Sequence, residues 1–337
     1  MIAARINAIA HALPETVIDN QALAARFPEW PAEKIGRKLG IERRHVVAAG
    51  ETALDLAGQA CLNLFRQQAL PPESIDALIF CTQSPDFILP PNSCLLHKRL
   101  GLRENIPVFD YNHGCSGFVY GLFLAKSLIE SGQAMKVLLV NAETYSRLCS
   151  EKDKNVISIF GDAATATLLT GEEAGRPFLD NFVFHTDGTG APNLVVPASG
   201  QRRNSLSEDY TSAPLKDGSR TLEHLYMNGP AIFEFAMREV PRLSAAILNR
   251  AGLSPDDIAA VIFHQANAYM LQSLRMACGF RESVFMINMK EVGNTVSCSI
   301  PLVLEDALAS GAVLPGQPLL LIGFGVGYAS AGCICVI

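Results

Sequence analysis

Leu70-Pro-Pro-Glu-Ser-Ile-Asp-Ala-Leu-Ile-Phe-Cys81 aligns without a gap on Leu253-Ser-Pro-Asp-Asp-Ile-Ala-Ala-Val-Ile-Phe-His264, with six of the twelve positions identical. In both copies an acid follows the proline, and an apolar run then ends on a polar residue. That pattern predicts a short turn, a helix-like cap and a buried strand. A second parallel lies downstream of each copy. Gly114-Cys115-Ser116 opens a helical run that stops at Ser131-Gly132, and Gly293-Asn294-Thr295 opens one that stops, at the same spacing, at Ser310-Gly311. Apolar strands follow at Lys136 to Val140 and Pro318 to Ile322. Any two short apolar strands can resemble each other by chance, but two features in matching order point to an internal repeat. Two halves of turn, strand, helix and strand predict an α/β architecture with pseudo-twofold symmetry.

At 337 residues the chain exceeds one ordinary core, which agrees with two units. The run Gly171-Glu-Glu-Ala-Gly-Arg-Pro breaks the pattern, so the halves are placed at 1–171 and 172–337. The polar stretch Ala198 to Arg220 reads as a surface loop or insertion, and a helix is expected from about Pro230 to Arg250.

Hydrophobic residues make up 49% and charged ones 18%, which describes a well-filled globular core and excludes a disordered chain. A net charge of −6 argues against nucleic acid, which favours a basic face. Nine cysteines, an odd set without regular spacing and with no secretory leader at Met1 to Ala12, suggest free thiols in a reducing, cytoplasmic setting. The longest apolar stretch, Gly114 to Ile129, contains Lys126 and reads as a buried helix, so no membrane span is expected. Cys333 and Cys335 alternate on one strand face without a second pair, so no metal is expected.

The repeat places Cys115 and Asn294 at equivalent helix starts and His264 at a strand end. Ligands of open α/β sheets collect at the carboxyl ends of strands, so the three are expected to converge. Cys115 lies in Asp110-Tyr-Asn-His-Gly-Cys-Ser-Gly-Phe118, where glycines allow a sharp turn and close approach of a substrate. Unpaired N–H groups and the dipole at a helix start favour a thiolate and could hold an oxyanion. Each residue alone also has an ordinary reading: a structural cysteine, a histidine capping a core, an N-cap asparagine.

Taken together, Gly-Cys-Ser-Gly-Phe, His264-Gln-Ala-Asn267 about 150 residues later, Gly-Asn-Thr about 30 further on and Gly323-Phe-Gly-Val-Gly-Tyr328 resemble the β-ketoacyl-(acyl-carrier-protein) synthase III family of the thiolase superfamily. The resemblance extends to Gly40-Ile-Glu-Arg-Arg-His45, Phe160-Gly-Asp-Ala-Ala164 and Met227 to Phe233, nearly the full chain. It implies a thiolase-like fold of two βαβ-type halves in five α/β layers, a homodimer, and a place in fatty-acid or related lipid biosynthesis. It implies that Cys115 takes an acyl group from a thioester such as acyl-coenzyme A. A malonyl thioester, on coenzyme A or an acyl carrier protein, then loses CO2. His264 and Asn294 donate to the enolate, and the N–H groups of Cys115 and Val326 form the oxyanion hole. No metal or redox cofactor is implied. Phe160, Gly229, Phe233 and Asn267 match substrate-channel positions. Leu89 matches an acyl-pocket residue lent by the partner, and Arg147 and Lys38 match cations toward the nucleotide end of coenzyme A.

Several residues depart from the family pattern. Lys34 stands where a tryptophan stacks on adenine, and the single tryptophan, Trp30, lies four residues earlier. Tyr269, Met276, Ala277 and Glu234 replace frequent basic residues, leaving Arg275, so carrier docking is expected to be weak or displaced. Val326 replaces a usual glycine but keeps the N–H. These departures suggest a specialised paralogue. An acyltransferase passing the acyl group to an oxygen or nitrogen nucleophile is the alternative on the same scaffold. Gln83, where a hydroxymethylglutaryl-coenzyme A synthase has its Glu, argues against that enzyme, and the intact trio argues against a non-catalytic subunit.

Overall fold

Strands buried on both faces need not alternate in polarity, and this explains the continuous apolar runs that reveal the repeat. In the computed structural model, residues 1–204 and 218–337 are described; residues 205–217, the middle of the expected insertion, lie outside them. The first half contains β1 (Ile2–Ala12), β2 (Val17–Asp19), α1 (Asn20–Arg26), α2 (Ala32–Leu39), β3 (Arg43–His45), α3 (Ala53–Gln67) and β4 (Ala77–Cys81). It continues through α4 (Asn92–Leu100), β5 (Val108–Tyr111), α5 (Gly117–Glu130), β6 (Lys136–Glu143), α6 (Lys154–Ile157) and β7 (Ala163–Glu173). The second contains β8 (Leu179–Thr186), β9 (Leu194–Val195), β10 (Tyr226–Met227), α7 (Gly229–Ala251), β11 (Ala260–Phe263), α8 (Ala268–Cys278), α9 (Ser299–Ala309), β12 (Pro318–Gly325) and β13 (Ala329–Val336).

The first half forms a sheet in the order β1-β7-β6-β4-β5, the second one in the order β8-β13-β12-β11. β4 runs parallel to β6 as β11 does to β12, while β7 and β13 run antiparallel to their neighbours on both sides. The counterpart of β5 is reduced to a single parallel bridge, Val261 to Phe285. β4 and β11 are each preceded by a one-turn 3-10 helix, at Pro72–Ser74 and Pro255–Asp257, as the repeat predicts.

Successive strand residues point to opposite faces, and that sorts the core into layers. Ile79 and Ile262 face inward, onto Phe118 and Leu122 of α5 and Ile300 and Leu304 of α9. Leu78 and Phe80 face outward beneath α3 and α4, while Val261 and Phe263 face outward beneath α7 and α8. The result is five layers: helices, sheet, the α5/α9 pair, sheet, helices. Burying an apolar side chain contributes about 1.5–3 kcal/mol, so the central pair, apolar toward both sheets, holds the halves together.

Some boundaries differ from the sequence reading. β6 and β12 each continue three residues beyond the expected strand, to Glu143 and Gly325, and β7 runs on to Glu173, past the break placed at Gly171. The helical runs start late. α5 begins at Gly117, and α9 at Ser299 after a 3-10 turn over Val296–Cys298. The later start leaves Cys115 and Asn294 in the turns before their helices.

Candidate active site

Cys115 sits in the turn between β5 and α5, one residue before the helix N-cap Ser116, and is buried. The turn is held by Gly117 N–H to the Gly114 carbonyl (2.7 Å) and by the Tyr111 hydroxyl to the Gly117 carbonyl (2.7 Å). The flanking glycines make room for protein here, not for substrate as expected. A Cβ on Gly114 would stand 2.2 Å from Gln83 Oε1, and one on Gly117 would stand 2.5 Å from Cys81 Sγ. From the other half, β12 reaches over the sulfur so closely that a Cβ on Gly325 would come within 2.8 Å of Sγ. Burial pushes the Cys115 thiol up to about 12, while the N–H groups of Val326 and Cys115 itself pull the other way. Desolvation thus outweighs the pull toward the thiolate that a helix start exerts.

His264 extends the β11 ladder, its N–H bonding the Ile322 carbonyl at 2.8 Å. The ring lies edge-on to Phe324, with centroids 5.6 Å apart. Burial lowers its pKa to about 3, so the imidazole is neutral at physiological pH. Its Nδ1 lies 2.8 Å from Ser299 Oγ, which leaves Nε2 for the cavity.

Asn294 is held by backbone. Its N–H bonds the Ile159 carbonyl (2.9 Å), and its carbonyl accepts from Gly161 N–H (3.0 Å). Gly293, at φ 71°, fits because a Cβ would stand 2.8 Å from the Ile159 carbonyl oxygen, and Gly161 would collide with the Val292 carbonyl at 2.1 Å. The Val296 N–H donates to Asn294 Oδ1 at 2.9 Å. This turns the amide nitrogen outward as a donor, with one long contact to the Ala266 carbonyl at 3.5 Å.

These three side chains line one cavity of about 110 Å³, walled by Phe160, Ile232, Met270 and Phe324. Gly229 and Asn267 also line it, although Asn267 Oδ1 is committed to capping α8 through Met270 N–H at 2.9 Å. Phe233 packs beside the core and stacks on exposed Tyr269 at 5.6 Å. Three other expected positions are not gathered here. Leu89 is 79% exposed on a loop with Phe87 and Ile88. Lys38 lies in a polar cleft with Trp30, Lys34 and Lys154. Arg147 lines a different cleft, with Glu51, Ser84 and Asp86, and donates to the Ala48 carbonyl.

Sequence reasoning missed Leu194, Ile232 and Met270, which look like any core residue, and also Ser299 and Glu143. Glu143 ends β6 fully buried. It accepts from Gln83 N–H (3.0 Å) and from the Ser297 hydroxyl (2.8 Å), which ties the first half to the Asn294 loop. Burial pushes its carboxyl up to about 8. Glu143 stands three residues past the expected strand end, where the sequence reads as loop, so no local signal marked it.

Two stacked sheets around paired helices, with a cysteine, a histidine and an asparagine meeting in one cavity, define a thiolase-type condensing enzyme. The family models for 3-oxoacyl-[acyl-carrier-protein] synthase III match residues 109–188 and, for its C-terminal part, 248–337. A β-ketoacyl-[acyl-carrier-protein] synthase III of Caldanaerobacter subterraneus subsp. tengcongensis is 32% identical over 99% of this chain and 97% of its own. A crystal structure of a 3-oxoacyl-(acyl-carrier-protein) synthase III superposes with a TM-score of 0.95 at 44% identity, covering 99% of this chain and 100% of that one. A crystal structure of a 3-oxoacyl-(acyl-carrier protein) synthase from Burkholderia xenovorans LB400 gives 0.92 at 32%, covering 99% and 94%. The chain belongs to the 3-oxoacyl-[acyl-carrier-protein] synthase III family.

Proposed function

We infer that the chain joins an acyl group to a malonyl-derived carbon in two steps. Cys115 Sγ attacks an acyl thioester, the N–H groups of Cys115 and Val326 hold the oxyanion, and the thiol proton leaves with the departing thiol. A malonyl thioester then loses CO2. Its enolate oxygen is held by Asn294 Nδ2 and His264 Nε2–H, and its carbon attacks the acyl-cysteine, releasing a thiolate that takes a proton from water to restore the thiol. These steps call only for a nucleophile and hydrogen-bond donors, so no metal or redox cofactor is proposed.

The observation that carries the reading is the pairing of a neutral, buried histidine with an asparagine whose amide nitrogen is turned outward, beside one enclosed thiol. Incubation with a panel of acyl thioesters followed by intact-mass measurement should show one acyl adduct, absent in Cys115→Ala. Adding malonyl thioester should then release CO2. Release of the acyl group to an alcohol or amine without CO2 would favour the acyltransferase instead.

The surroundings support finer expectations. The cleft offers Lys34 and Lys38 as cations for coenzyme A phosphates, while Lys154 there is paired with Glu29 at 2.8 Å; Trp30 is buried and unsuited to stacking on adenine. On α8, Tyr269 and Met276 are exposed, and Arg275 is engaged with Gln272 (2.9 Å) and the Phe280 carbonyl (3.1 Å). This face supports a coenzyme A thioester, or a carrier docked elsewhere, and with it a specialised role in the cytoplasm. Elongation of acetyl-coenzyme A with malonyl-carrier at an initiating enzyme's rate would refute that role. Exposed Phe87, Ile88 and Leu89 support a homodimer in which Leu89 enters the partner's acyl pocket. Leu89→Asp should weaken the dimer in sedimentation.

A further inference from the structure

Ser299 opens α9 with its side chain enclosed, and its hydroxyl oxygen has three polar neighbours. They are His264 Nδ1 at 2.8 Å, the Val296 carbonyl oxygen at 2.8 Å and the Gln265 N–H at 3.3 Å. The Gln265 N–H can only donate and the Val296 carbonyl can only accept. The single hydroxyl hydrogen therefore goes either to Val296 or to His264 Nδ1. The choice sets the tautomer of a neutral imidazole. If the hydroxyl donates to Val296, Nδ1 carries the ring proton and Nε2 meets the cavity as a lone pair. If it donates to Nδ1, Nε2–H faces the cavity.

One feature favours the second arrangement, against the pull of the Val296 carbonyl, which also lies near the imidazole. The Val296 carbonyl already receives the Ser299 backbone N–H, so it stays paired without the hydroxyl. Val296 itself is a β-branched residue at φ 56°, a left-handed conformation that marks an over-determined turn. That turn puts its N–H on Asn294 Oδ1 and its carbonyl beside Ser299, so one residue orients both donor side chains.

We propose that Ser299 is a positioning residue, donating its hydroxyl hydrogen to His264 Nδ1 and thereby holding the ring proton on Nε2, the form that condensation requires. The inference rests on the condensing reading, but its first readout does not. In 15N-labelled resting enzyme, with the His264 signals assigned by loss in His264→Gln, Nε2 is expected to be protonated and Nδ1 bare.

In Ser299→Ala only the Val296 carbonyl, an acceptor, remains against Nδ1, so the tautomer should reverse. CO2 release from malonyl thioester should then fall about 10²–10³-fold, the cost of losing one preorganised donor. Acylation of Cys115 should change less than about threefold, because it makes no use of that donor. Ser299→Thr, which keeps the hydroxyl, should restore both the spectrum and the rate. A wild-type spectrum with the proton on Nδ1 would overturn the assignment, and so would a Ser299→Ala enzyme slowed equally in both steps or in neither. Failure of every acyl thioester to label Cys115 would instead strike the condensing reading and leave the tautomer measurement standing.

Discussion

The two halves of this molecule hold the same positions and use them differently. The strand-end pair is Cys81 ending β4 and His264 immediately after β11. The helix-start pair is Cys115 before α5 and Asn294 before α9. Cys81 is sealed: its thiol bonds the His113 carbonyl at 2.8 Å, and burial pushes its pKa well above that of a free thiol. His264 opens onto the cavity. The far ends of β6 and β12 are exchanged between halves. Glu143, ending β6, reaches across to Ser297 beside Asn294, whereas Gly325, ending β12, reaches across to Cys115. Duplication thus supplies matching sites, and what packs over each one decides whether it is structure or chemistry.

The sharpest way to break this comparison is to alter the two cysteines separately. Cys115→Ala should abolish acyl labelling and lower turnover by at least about 10³-fold, whereas Cys81→Ala should keep labelling and lose only about 1 kcal/mol of stability. Intact mass and thermal unfolding read the two effects. Next, Asn294→Ala should lower CO2 release about 10²–10³-fold and leave Cys115 acylation nearly intact, because the lost donor serves only the second step. A comparable loss in acylation would remove Asn294 from the enolate role. Gly325→Ala should cost about 1–3 kcal/mol through overpacking against Sγ, and should slow acylation by about tenfold or more.

The smallest effect concerns the Glu143 bridge. In the folded chain its carboxyl keeps its proton up to about 8, whereas a free one loses it near 4.5. This contribution to stability is fully present below about pH 4.5 and is lost as pH rises through about 8. His264 runs the opposite way. Its pKa is lowered to about 3, so its contribution holds above about 6.5 and is lost as pH falls toward 3. Urea unfolding across this range should show both slopes, and Glu143→Gln should remove the alkaline one alone.

Much of this was legible in the residue string. The repeat at Leu70 to Cys81 and Leu253 to His264 foretold turns, strands and their order, because a strand covered on both faces must be apolar throughout. Gly-Cys-Ser-Gly, His-Gln-Ala-Asn and Gly-Asn-Thr stood out because close-packed turns restrict which residues fit. The lengths of β6 and β12 were underread, since Glu143 and Gly325 look like loop residues until the other half is laid against them.

Local sequence was enough for the elements, their pairing into halves and the three side chains that meet in one cavity, since periodicity and steric limits at turns act over a few neighbours. It was not enough for the protonation of those side chains, the tautomer of His264 or the place of Arg147. Those depend on which atoms from distant segments exclude water and offer partners, and that becomes definite only once both sheets close on α5 and α9.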